Sequence, residues 1–158
     1  MNQIITVTPI GKLAIKYASD FILEVYQVAT QTRASSAKDL FAKEIQKQLQ
    51  AYFTGDLQKI EIPFMFEKGT DFQVRVWDQI RKIPFGDTQT YGEIAKKIKS
   101  GPRAVGNACR RNKLLLVVPC HRVVSATGLG GFMGDADGSL VRRKQWLLNH
   151  EKEYRCAG

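Results

Sequence analysis

The sequence contains few cysteines and histidines, and this scarcity limits the kinds of site it can build. It has 3 Cys and 2 His in 158 residues. Cys109, Cys120 and Cys156 are odd in number and have no paired spacing, which argues against the disulfide framework of an exported protein. Only His121 and His150 could complete a zinc site with them, and no Cys-x2-Cys motif is present. We therefore predict no metal ion and no cofactor.

Long apolar runs are also missing. No stretch approaches the roughly 20 apolar residues that a membrane-spanning helix needs. The first residues, Met1-Asn2-Gln3, lack the basic and then apolar pattern of a signal peptide. These two absences predict a cytoplasmic protein that does not bind a membrane. With 44% hydrophobic residues, the chain has enough apolar surface to bury a core, as one domain or as two small ones.

Negative charge is scarce in the second half of the chain. The formal net charge is +9, and residues 67–158 carry nearly all of it, whereas residues 1–66 are close to neutral. This bias suggests a polyanionic partner, nucleic acid before membrane, because no strongly amphipathic basic helix stands out. A generally basic protein without such a partner is the alternative, and the isoelectric point alone does not refute it.

The stretch 117–124 places a cysteine beside a histidine, between two β-branched runs. Pro119 fixes its own φ and so sets the backbone direction at Cys120. A neighbouring imidazole or cation favours the thiolate, which is the reactive form of a cysteine. Adjacent residues do not face one another on a helix or strand, so we expect His121 to take the proton through a water or a turn. The polar pair His121-Arg122 within an apolar run favours chemistry over the alternative of a buried cysteine that acts as a small hydrophobe.

The first part of the chain predicts a β meander followed by a helix. Three short β-prone runs are separated by turn residues: Ile4–Pro9, Leu13–Tyr17 and Phe21–Tyr26. Apolar residues at helical spacing then predict a helix over Ala37–Phe53, with Gly55 as its stop. The irregular stretch Asp56–Thr70 is the candidate linker.

This linker divides the chain into an N-terminal scaffold domain of residues 1–66 and a C-terminal domain of residues 67–158. Helical patterns dominate the second domain from Asp71 onward. A capping box opens a helix over Tyr91–Ile98, and a proline begins the next one, Pro102–Arg111. Helix, short turn, helix is the outline of a helix-turn-helix.

The second of these helices would present small and polar residues: Arg103, Ala104, Gly106, Asn107 and Arg110. The small residues could approach a nucleic-acid backbone closely, and the arginines could meet phosphates. Packing of two helices through the same small residues is the alternative.

Two further segments follow the cysteine. The first, around Gly128–Gly131 and Phe132-Met133, predicts a β-hairpin or a glycine-rich loop that faces the cysteine, either as a plain turn or as a lip past which a flat ligand slides. The second predicts a last helix over about Asp137 to Glu153. Near the end of this helix, Glu151 could orient an imidazole or could be a solvated surface residue.

Several motifs occur in series along the second domain: Gly69–Trp77, Ile83–Thr88, Tyr91–Ala95, Pro102–Ala108, Asn112-Lys113 and Pro119–Val124. In this order and spacing they closely resemble the methylated-DNA–protein-cysteine methyltransferases, also called O6-alkylguanine-DNA alkyltransferases. The resemblance spans roughly Gly69 to Glu151. Residues 1–66 are similar to the family's N-terminal domain only loosely, through Thr8-Pro9-Ile10-Gly11.

The resemblance implies an α+β protein. A small ribonuclease-H-like, β-rich N-terminal domain would precede a helical, winged-helix-like (helix-turn-helix) C-terminal domain. The second domain would bind the minor groove of double-stranded DNA as a monomer and flip O6-alkylguanine, with O4-alkylthymine as a second candidate substrate, out of the stack. The alkyl group would pass irreversibly to Cys120, once per protein molecule.

The resemblance also implies the roles of individual residues. Cys120 would be the nucleophile, His121 the base that acts through water, and Glu151 the carboxylate that orients the imidazole. The amide of Asn112 would support the turn around the cysteine. Tyr91 would crowd the target phosphate and could donate a hydrogen bond to the flipped base.

Further contacts with substrate and DNA follow from the same resemblance. Arg103 would fill the vacated place in the base stack, and the backbone carbonyls of Cys120 and Val123 would receive the guanine amino group. Predicted substrate contacts are Tyr91, Val123, Leu115, Gly130 and Met133. Predicted DNA contacts are Ser100, Tyr91, Arg103, Ala104, Gly106, Asn107 and Arg110.

The residues support this chemistry independently of the resemblance. Displacing guanine from an sp³ carbon needs a soft, strong nucleophile, and a thiolate is the best that side chains offer. The thioether product is not hydrolysed, so one transfer per molecule is expected. One alternative is a non-catalytic protein that binds alkylated DNA, but the alkyltransferase-like proteins of this kind lack the cysteine. The other is a thiol hydrolase, which would need an oxyanion hole that no motif in the sequence indicates.

Overall fold

The computed structural model describes residues 1–129 and 138–155. Their Cα positions cluster into two compact units, one of Met1–Glu67 with Lys113–Leu115 and one of Lys68–Asn112 with the residues from Leu116 onward. Strands and helices are both present, so the expected α+β class is confirmed. The domain division after residue 66 stays a prediction, because compact packing does not test whether either part folds alone. Within the described ranges, no helix is long and apolar enough to cross a membrane.

The first unit contains the predicted meander. Its strands are β1 (Asn2–Thr8), β2 (Gly11–Ala18) and β3 (Phe21–Gln27). They form one antiparallel sheet in the order β1-β2-β3. The backbone of Val25, within β3, also pairs with a later segment of the chain. Its N–H donates to the Lys113 carbonyl at 2.8 Å, and its carbonyl accepts from the Leu115 N–H at 3.2 Å. This pairing explains why Lys113–Leu115 belongs to the first unit.

One helix, α1 (Leu40–Thr54), follows the sheet. The side chain of Asp39 caps its start by accepting a hydrogen bond from the Ala42 N–H at 2.8 Å. Gly55 ends the helix in the left-handed conformation, with φ of 88°. The predicted start at Ala37 was too early. Ser35 is hydrogen-bonded to the backbone of Ile5 in β1 through both its N–H and its hydroxyl, which holds the preceding chain extended.

The second unit is mainly helical. Its helices are α2 (Asp71–Arg81), α3 (Tyr91–Lys97), α4 (Pro102–Arg110) and α5 (Ser139–Arg155). The predicted capping box is present at the start of α3, where Thr90 and Glu93 each bond the other's backbone N–H, and a second box opens α2. Pro102 is the first residue of α4, as predicted. The starts of α3 and α4 could be predicted because each depends on residues within four positions of one another.

Helices α3 and α4 pack against each other and share the unit's core with α2. Core residues with almost no exposed surface include Val76, Ile80, Ile94, Val105 and Leu147. The indole Nε1–H of the buried Trp77 donates to the Ala108 carbonyl at 2.9 Å, which ties α2 to the last turn of α4. The two helices of the predicted helix-turn-helix therefore pack against each other, and the motif itself stays a prediction.

The segment after the cysteine differs from a simple hairpin. β5 (Val123–Val124) pairs in parallel with β4 (Gln89–Thr90), the pair of residues just before α3. An antiparallel bridge between Ser125 and Gly128 is the one feature of the expected hairpin in the described residues. The rest of that prediction, including Gly130 and Met133, lies outside them.

The capping box of α2 gives a test of the fold. Thr70 Oγ1 accepts from the Gln73 N–H at 3.1 Å, and Gln73 Oε1 accepts from the Thr70 N–H at 3.0 Å. Thr70→Ala should lower the free energy of unfolding by about 1 kcal/mol, because the hydroxyl cap is lost. Urea unfolding followed by circular dichroism measures the change. Thr70→Ser keeps the hydroxyl and should unfold close to the wild type; an equal loss in both variants would contradict the capping role.

Candidate active site

Cys120 begins a single 3-10 turn, Cys120–Arg122, that follows a sharp bend at Pro119. Pro119 has φ of −80° and ψ of 66°, and the Cys120 N–H donates across it to the Val118 carbonyl at 2.8 Å. This is an inverse γ-turn, whose central φ matches the value that the proline ring imposes. The residue before Cys120 therefore determines the local backbone geometry at this cysteine.

Asn112, just beyond α4, holds this bend in place. Its side-chain Nδ2 donates to the Val118 carbonyl at 2.9 Å and to the Cys120 Sγ at 3.3 Å. The amide thus supports the turn and favours negative charge on the sulfur. The structure thus brings Asn112 and Cys120 together.

Glu151, on α5, is the centre of a buried ionic network. Its Oε2 lies 2.7 Å from His121 Nε2, and its two oxygens accept from Arg122 Nε at 2.8 Å and Nη2 at 2.9 Å. The Gly86 N–H also donates to Oε1 at 3.2 Å, and Arg122 Nη1 donates to the Ile83 carbonyl at 2.8 Å. Burial alone would raise the pKa of Glu151, but the hydrogen bonds from His121 and Arg122 outweigh it and hold the pKa well below its usual range.

The surroundings of His121 determine its protonation state. Burial lowers its pKa and outweighs the opposing effect of Glu151, so the ring is neutral at neutral pH. Because Glu151 is a carboxylate, Nε2 carries the hydrogen that it shares with Oε2, and Nδ1 is then the basic atom. Within the described residues, the ring's hydrogen bonds do not include the Cys120 sulfur, so proton transfer through water stays a prediction.

The sulfur of Cys120 lies in a cluster of titratable groups. A hydrogen bond with the Cys109 thiol, together with burial, raises the pKa of Cys120, whereas the Asn112 amide and the Lys144 ammonium act to lower it. The thiol form therefore predominates at neutral pH, and a base is needed to generate the thiolate.

Lys144 is almost fully buried on α5, at 2% exposure. Its Nζ donates to the Val123 carbonyl at 2.6 Å and lies 5.8 Å from the centre of the Tyr91 ring. Burial lowers the pKa of Lys144 to about 8. Burial, and then the two nearby cysteines, raise the pKa of Tyr91 to about 12, so its hydroxyl stays protonated and can donate a hydrogen bond.

Sequence reasoning missed Lys144 and gave Cys109 no role. A signal for Lys144 was present: it lies three residues before Leu147 and seven before Glu151, so all three share one face of the last helix. A charged residue on an apolar helical stripe indicates a buried partner. Cys109 carried no comparable signal, because its neighbour Cys120 lies on another element.

The predicted DNA-contact residues lie on α3, on α4 and between them. Arg103, Asn107 and Arg110 are exposed and recur at helical spacing along one side of α4. Ala104 and Gly106 are half-buried, and a Cβ at Gly106 would make only an ordinary van der Waals contact with Tyr91 Cε1, at 4.0 Å. The Ser100 N–H donates to the Ala95 carbonyl at 2.9 Å and closes the end of α3.

The predicted substrate contacts lie in different parts of the structure. The Val123 carbonyl, expected to receive the guanine amino group, already accepts from Lys144. Leu115 belongs to the first unit, where its backbone pairs with Val25. Gly130 and Met133 lie outside the described residues. In the part of the chain that is described, no group of three or more His, Cys, Asp or Glu side chains could hold a metal ion.

Comparison with known proteins agrees with this site. Residues 71–153 match the family model described as the DNA binding domain of 6-O-methylguanine DNA methyltransferase. The methylated-DNA–protein-cysteine methyltransferase of Methanosarcina acetivorans is 46% identical over 113 residues, which cover 70% of this chain and 69% of that protein. This chain belongs to the methylated-DNA–protein-cysteine methyltransferase family.

Solved structures extend the similarity to nearly the whole chain. The crystal structure of the Mycobacterium tuberculosis O6-methylguanine methyltransferase superimposes with a TM-score of 0.83 at 33% identity, covering 97% of this chain and 93% of the other. The same organism's OGT, crystallised in complex with DNA, gives a TM-score of 0.80 at 36% identity, with coverages of 95% and 92%. The α+β architecture of this methyltransferase is therefore that of its relatives.

The Glu151 network predicts a large effect of removing one charge. Glu151→Gln should lower the free energy of unfolding at pH 7 by about 3 kcal/mol, because it leaves the Arg122 guanidinium buried without its anion. Urea unfolding measures this loss. Glu153→Gln makes the same change at an exposed position of α5 and should unfold like the wild type.

The contribution of Glu151 to the free energy of unfolding should depend on pH. The folded-state pKa of Glu151 is lowered from 4.5, so its contribution is present above that pH and is lost as the pH falls toward the folded-state value. The stability difference between wild type and Glu151→Gln should therefore shrink as the pH falls below 4.5. A difference that stays constant with pH would show that the carboxylate charge is not the cause.

Proposed function

We propose that this protein repairs DNA by transferring the alkyl group of O6-alkylguanine to the sulfur of its own Cys120, once per molecule. The observation that carries the proposal is the arrangement around that sulfur within the family's matched region. Asn112 donates to Cys120 Sγ, and the next residue is a neutral histidine oriented by a buried carboxylate. O4-alkylthymine is a second candidate substrate.

The proposed step needs a base, a nucleophile and a donor. His121 Nδ1, oriented through Nε2 by Glu151, takes the Cys120 proton by way of a water molecule. The thiolate attacks the alkyl carbon, the carbon–O6 bond breaks, and its electron pair leaves with the guanine. The protonated Tyr91 hydroxyl donates a hydrogen bond to the departing base, a role that its raised pKa supports. The thioether that forms is stable to water, so the protein is consumed.

Binding of DNA is proposed to use the α3–α4 pair in the minor groove. OGT of Mycobacterium tuberculosis has been crystallised with DNA, and the exposed side of α4 here carries Arg103, Asn107 and Arg110. Arg103 would occupy the place in the stack that the flipped guanine leaves, while the small Ala104 and Gly106 allow close approach. Ser100 and Arg110 would contact phosphates.

The finer descriptions of fold and pocket belong to the same proposal. The packed α3–α4 pair supports a winged-helix-like C-terminal domain, and the β1–β3 meander followed by α1 supports a ribonuclease-H-like N-terminal domain. Substrate contacts by Val123, Leu115, Gly130 and Met133 stay predictions. Action as a monomer and a cytoplasmic location stay predictions.

Intact mass spectrometry tests the function. The purified protein is mixed with a duplex that carries one O6-methylguanine, and peptides are then mapped. We expect a gain of one methyl group on the Cys120 peptide, saturating at one per protein. Cys120→Ser should show no gain but should still bind the duplex, whereas Cys156→Ser should gain the methyl group normally. Binding without any gain in the wild type would favour the non-catalytic alternative.

Arg103 gives a second test, of base flipping. Arg103→Ala should slow methyl transfer by about tenfold or more, because nothing then fills the vacated stack, whose disruption costs a few kcal/mol. Single-turnover transfer, measured under excess protein, gives the rate. Arg33→Ala removes the same side chain from an exposed position of the first unit and should leave the rate unchanged. Equal rates in the wild type and Arg103→Ala would exclude the role.

A further inference from the structure

The turn between α3 and α4 contains a lysine in a backbone conformation that is typical of glycine. Lys99 follows the last residue of the α3 cap and has φ of 57°, in the left-handed region. Its N–H donates to the Lys96 carbonyl at 3.4 Å, and the Ser100 N–H donates to the Ala95 carbonyl at 2.9 Å. These two bonds form a Schellman motif, in which glycine is the usual residue at the position of Lys99. A Cβ disfavours this conformation.

Helix α1 ends in the same motif, and there the residue is a glycine. The Gly55 N–H donates to the Tyr52 carbonyl at 3.2 Å, and the Asp56 N–H donates to the Ala51 carbonyl at 2.9 Å. Gly55 has φ of 88°. The same hydrogen bonds therefore form with glycine in one helix and with lysine in the other. Because the shape of the turn does not require a side chain, the lysine at position 99 calls for another explanation.

The turn that carries Lys99 is anchored from α2. Arg75 Nη2 donates to the Ile98 carbonyl at 2.9 Å. This carbonyl lies at the C-terminal end of α3, where helix carbonyls lack partners within the helix and attract positive charge. Since the Ile98 carbonyl immediately precedes Lys99, the backbone from which the lysine side chain projects has a defined position.

The surface around this turn is positively charged. Between Glu93 and Asp135 the sequence contains no Asp or Glu. None of the ion pairs among the described residues involves Lys99. Four cationic side chains from the end of α3 to the start of α4 are exposed: Lys96, Lys97, Lys99 and Arg103. Their charges are therefore available to a polyanion.

We propose that Lys99 binds a phosphate of the DNA backbone, and that a lysine occupies this left-handed position for that contact although glycine would make the fold more stable. The inference rests on the proposed function, because it needs the α3–α4 pair to bind DNA. The turn lies within the region that matches the family's DNA binding domain, and it leads directly into the first turn of α4, which carries Arg103. In a helix-turn-helix, the N-terminal end of the second helix lies against the duplex, so the turn before it lies beside the phosphates.

A structural alternative assigns the lysine to the helix itself. A cation near the C-terminal end of a helix interacts favourably with the helix dipole and stabilises the fold. Lys96 and Lys97 already place two positive charges in the last turn of α3. The two interpretations predict opposite changes in stability when Lys99 is replaced by glycine, so one variant distinguishes them.

The test uses the full chain and an unmodified DNA duplex, whose binding is measured by fluorescence anisotropy at several salt concentrations. Lys99→Gly should raise the melting temperature by about 2 °C, because it removes the Cβ from the left-handed position. The same variant should bind the duplex about tenfold more weakly at low salt, and the slope of log K against log salt should fall in magnitude by about 1. Lys99→Arg keeps the charge and should retain the wild-type affinity and slope.

Two further variants control for the loss of a charge and for the choice of glycine. Lys59→Gly removes an exposed lysine from the first unit and should leave the slope unchanged. Lys99→Asn removes the ammonium with a residue that tolerates the left-handed conformation, so it should bind DNA as weakly as Lys99→Gly.

The outcomes separate this contact from the proposed function. An unchanged slope in Lys99→Gly, with normal binding by the wild type, would overturn the phosphate contact and leave the proposed function standing. A lower melting temperature in Lys99→Gly would overturn the claim that lysine opposes stability and would assign its charge to the helix dipole. If the wild type binds no duplex, the proposed function and this contact both fail.

Discussion

The second unit depends on the buried network of hydrogen bonds and ion pairs around the Glu151 carboxylate. An ion removed from water is tolerated only when several donors replace its hydration, and here His121, Arg122 and the backbone of Gly86 do so. These donors come from the cysteine turn and from the turn after α2, while the carboxylate comes from α5. One charge therefore connects three segments that are far apart in sequence. Because the same carboxylate orients the imidazole, stability and the proposed chemistry share their central residue.

The electrostatic surroundings of Cys120 favour its less reactive thiol form over the thiolate. A protein that can use its nucleophile once is harmed by a permanently ionised cysteine, because any electrophile or oxidant would consume it. The pKa of Cys120 is raised by the Cys109 thiol and by burial, so the sulfur stays protonated until a base acts. The neutral His121 and the protonated Tyr91 are in the states that such a base and donor require. Burial is the largest cause of the shifts of His121 and Tyr91, and for Cys120 it adds to the effect of the Cys109 thiol.

Local features of the sequence were enough to predict the strands of the meander and the starts of α3 and α4. Thr90 with Glu93, and Pro102, act through neighbouring backbone groups, so their effect can be predicted without tertiary structure. The start of α1 could not be predicted in this way, because Ser35 is held by a strand thirty residues away. The buried charges of Arg122 and Lys144 were missed for a similar reason. Their partners, Glu151 and the Val123 carbonyl, lie on other elements, and only the family resemblance associated His121 with Glu151.

Helix α4 joins the two halves of the proposed function. Its exposed side carries Arg103 and Asn107, which are proposed to contact DNA, while Asn112, two positions beyond its end, bonds the sulfur of the proposed nucleophile. The Trp77 indole holds the Ala108 carbonyl in the last turn of this helix. Asn112, two positions beyond the helix, bonds the Val118 carbonyl and the Cys120 sulfur, so the end of α4 helps to position the cysteine turn. In the proposed function, the side chains expected to meet DNA and the residue that bonds the Cys120 sulfur therefore lie within one short stretch of chain, which would fix the distance between the bound DNA and the alkyl acceptor.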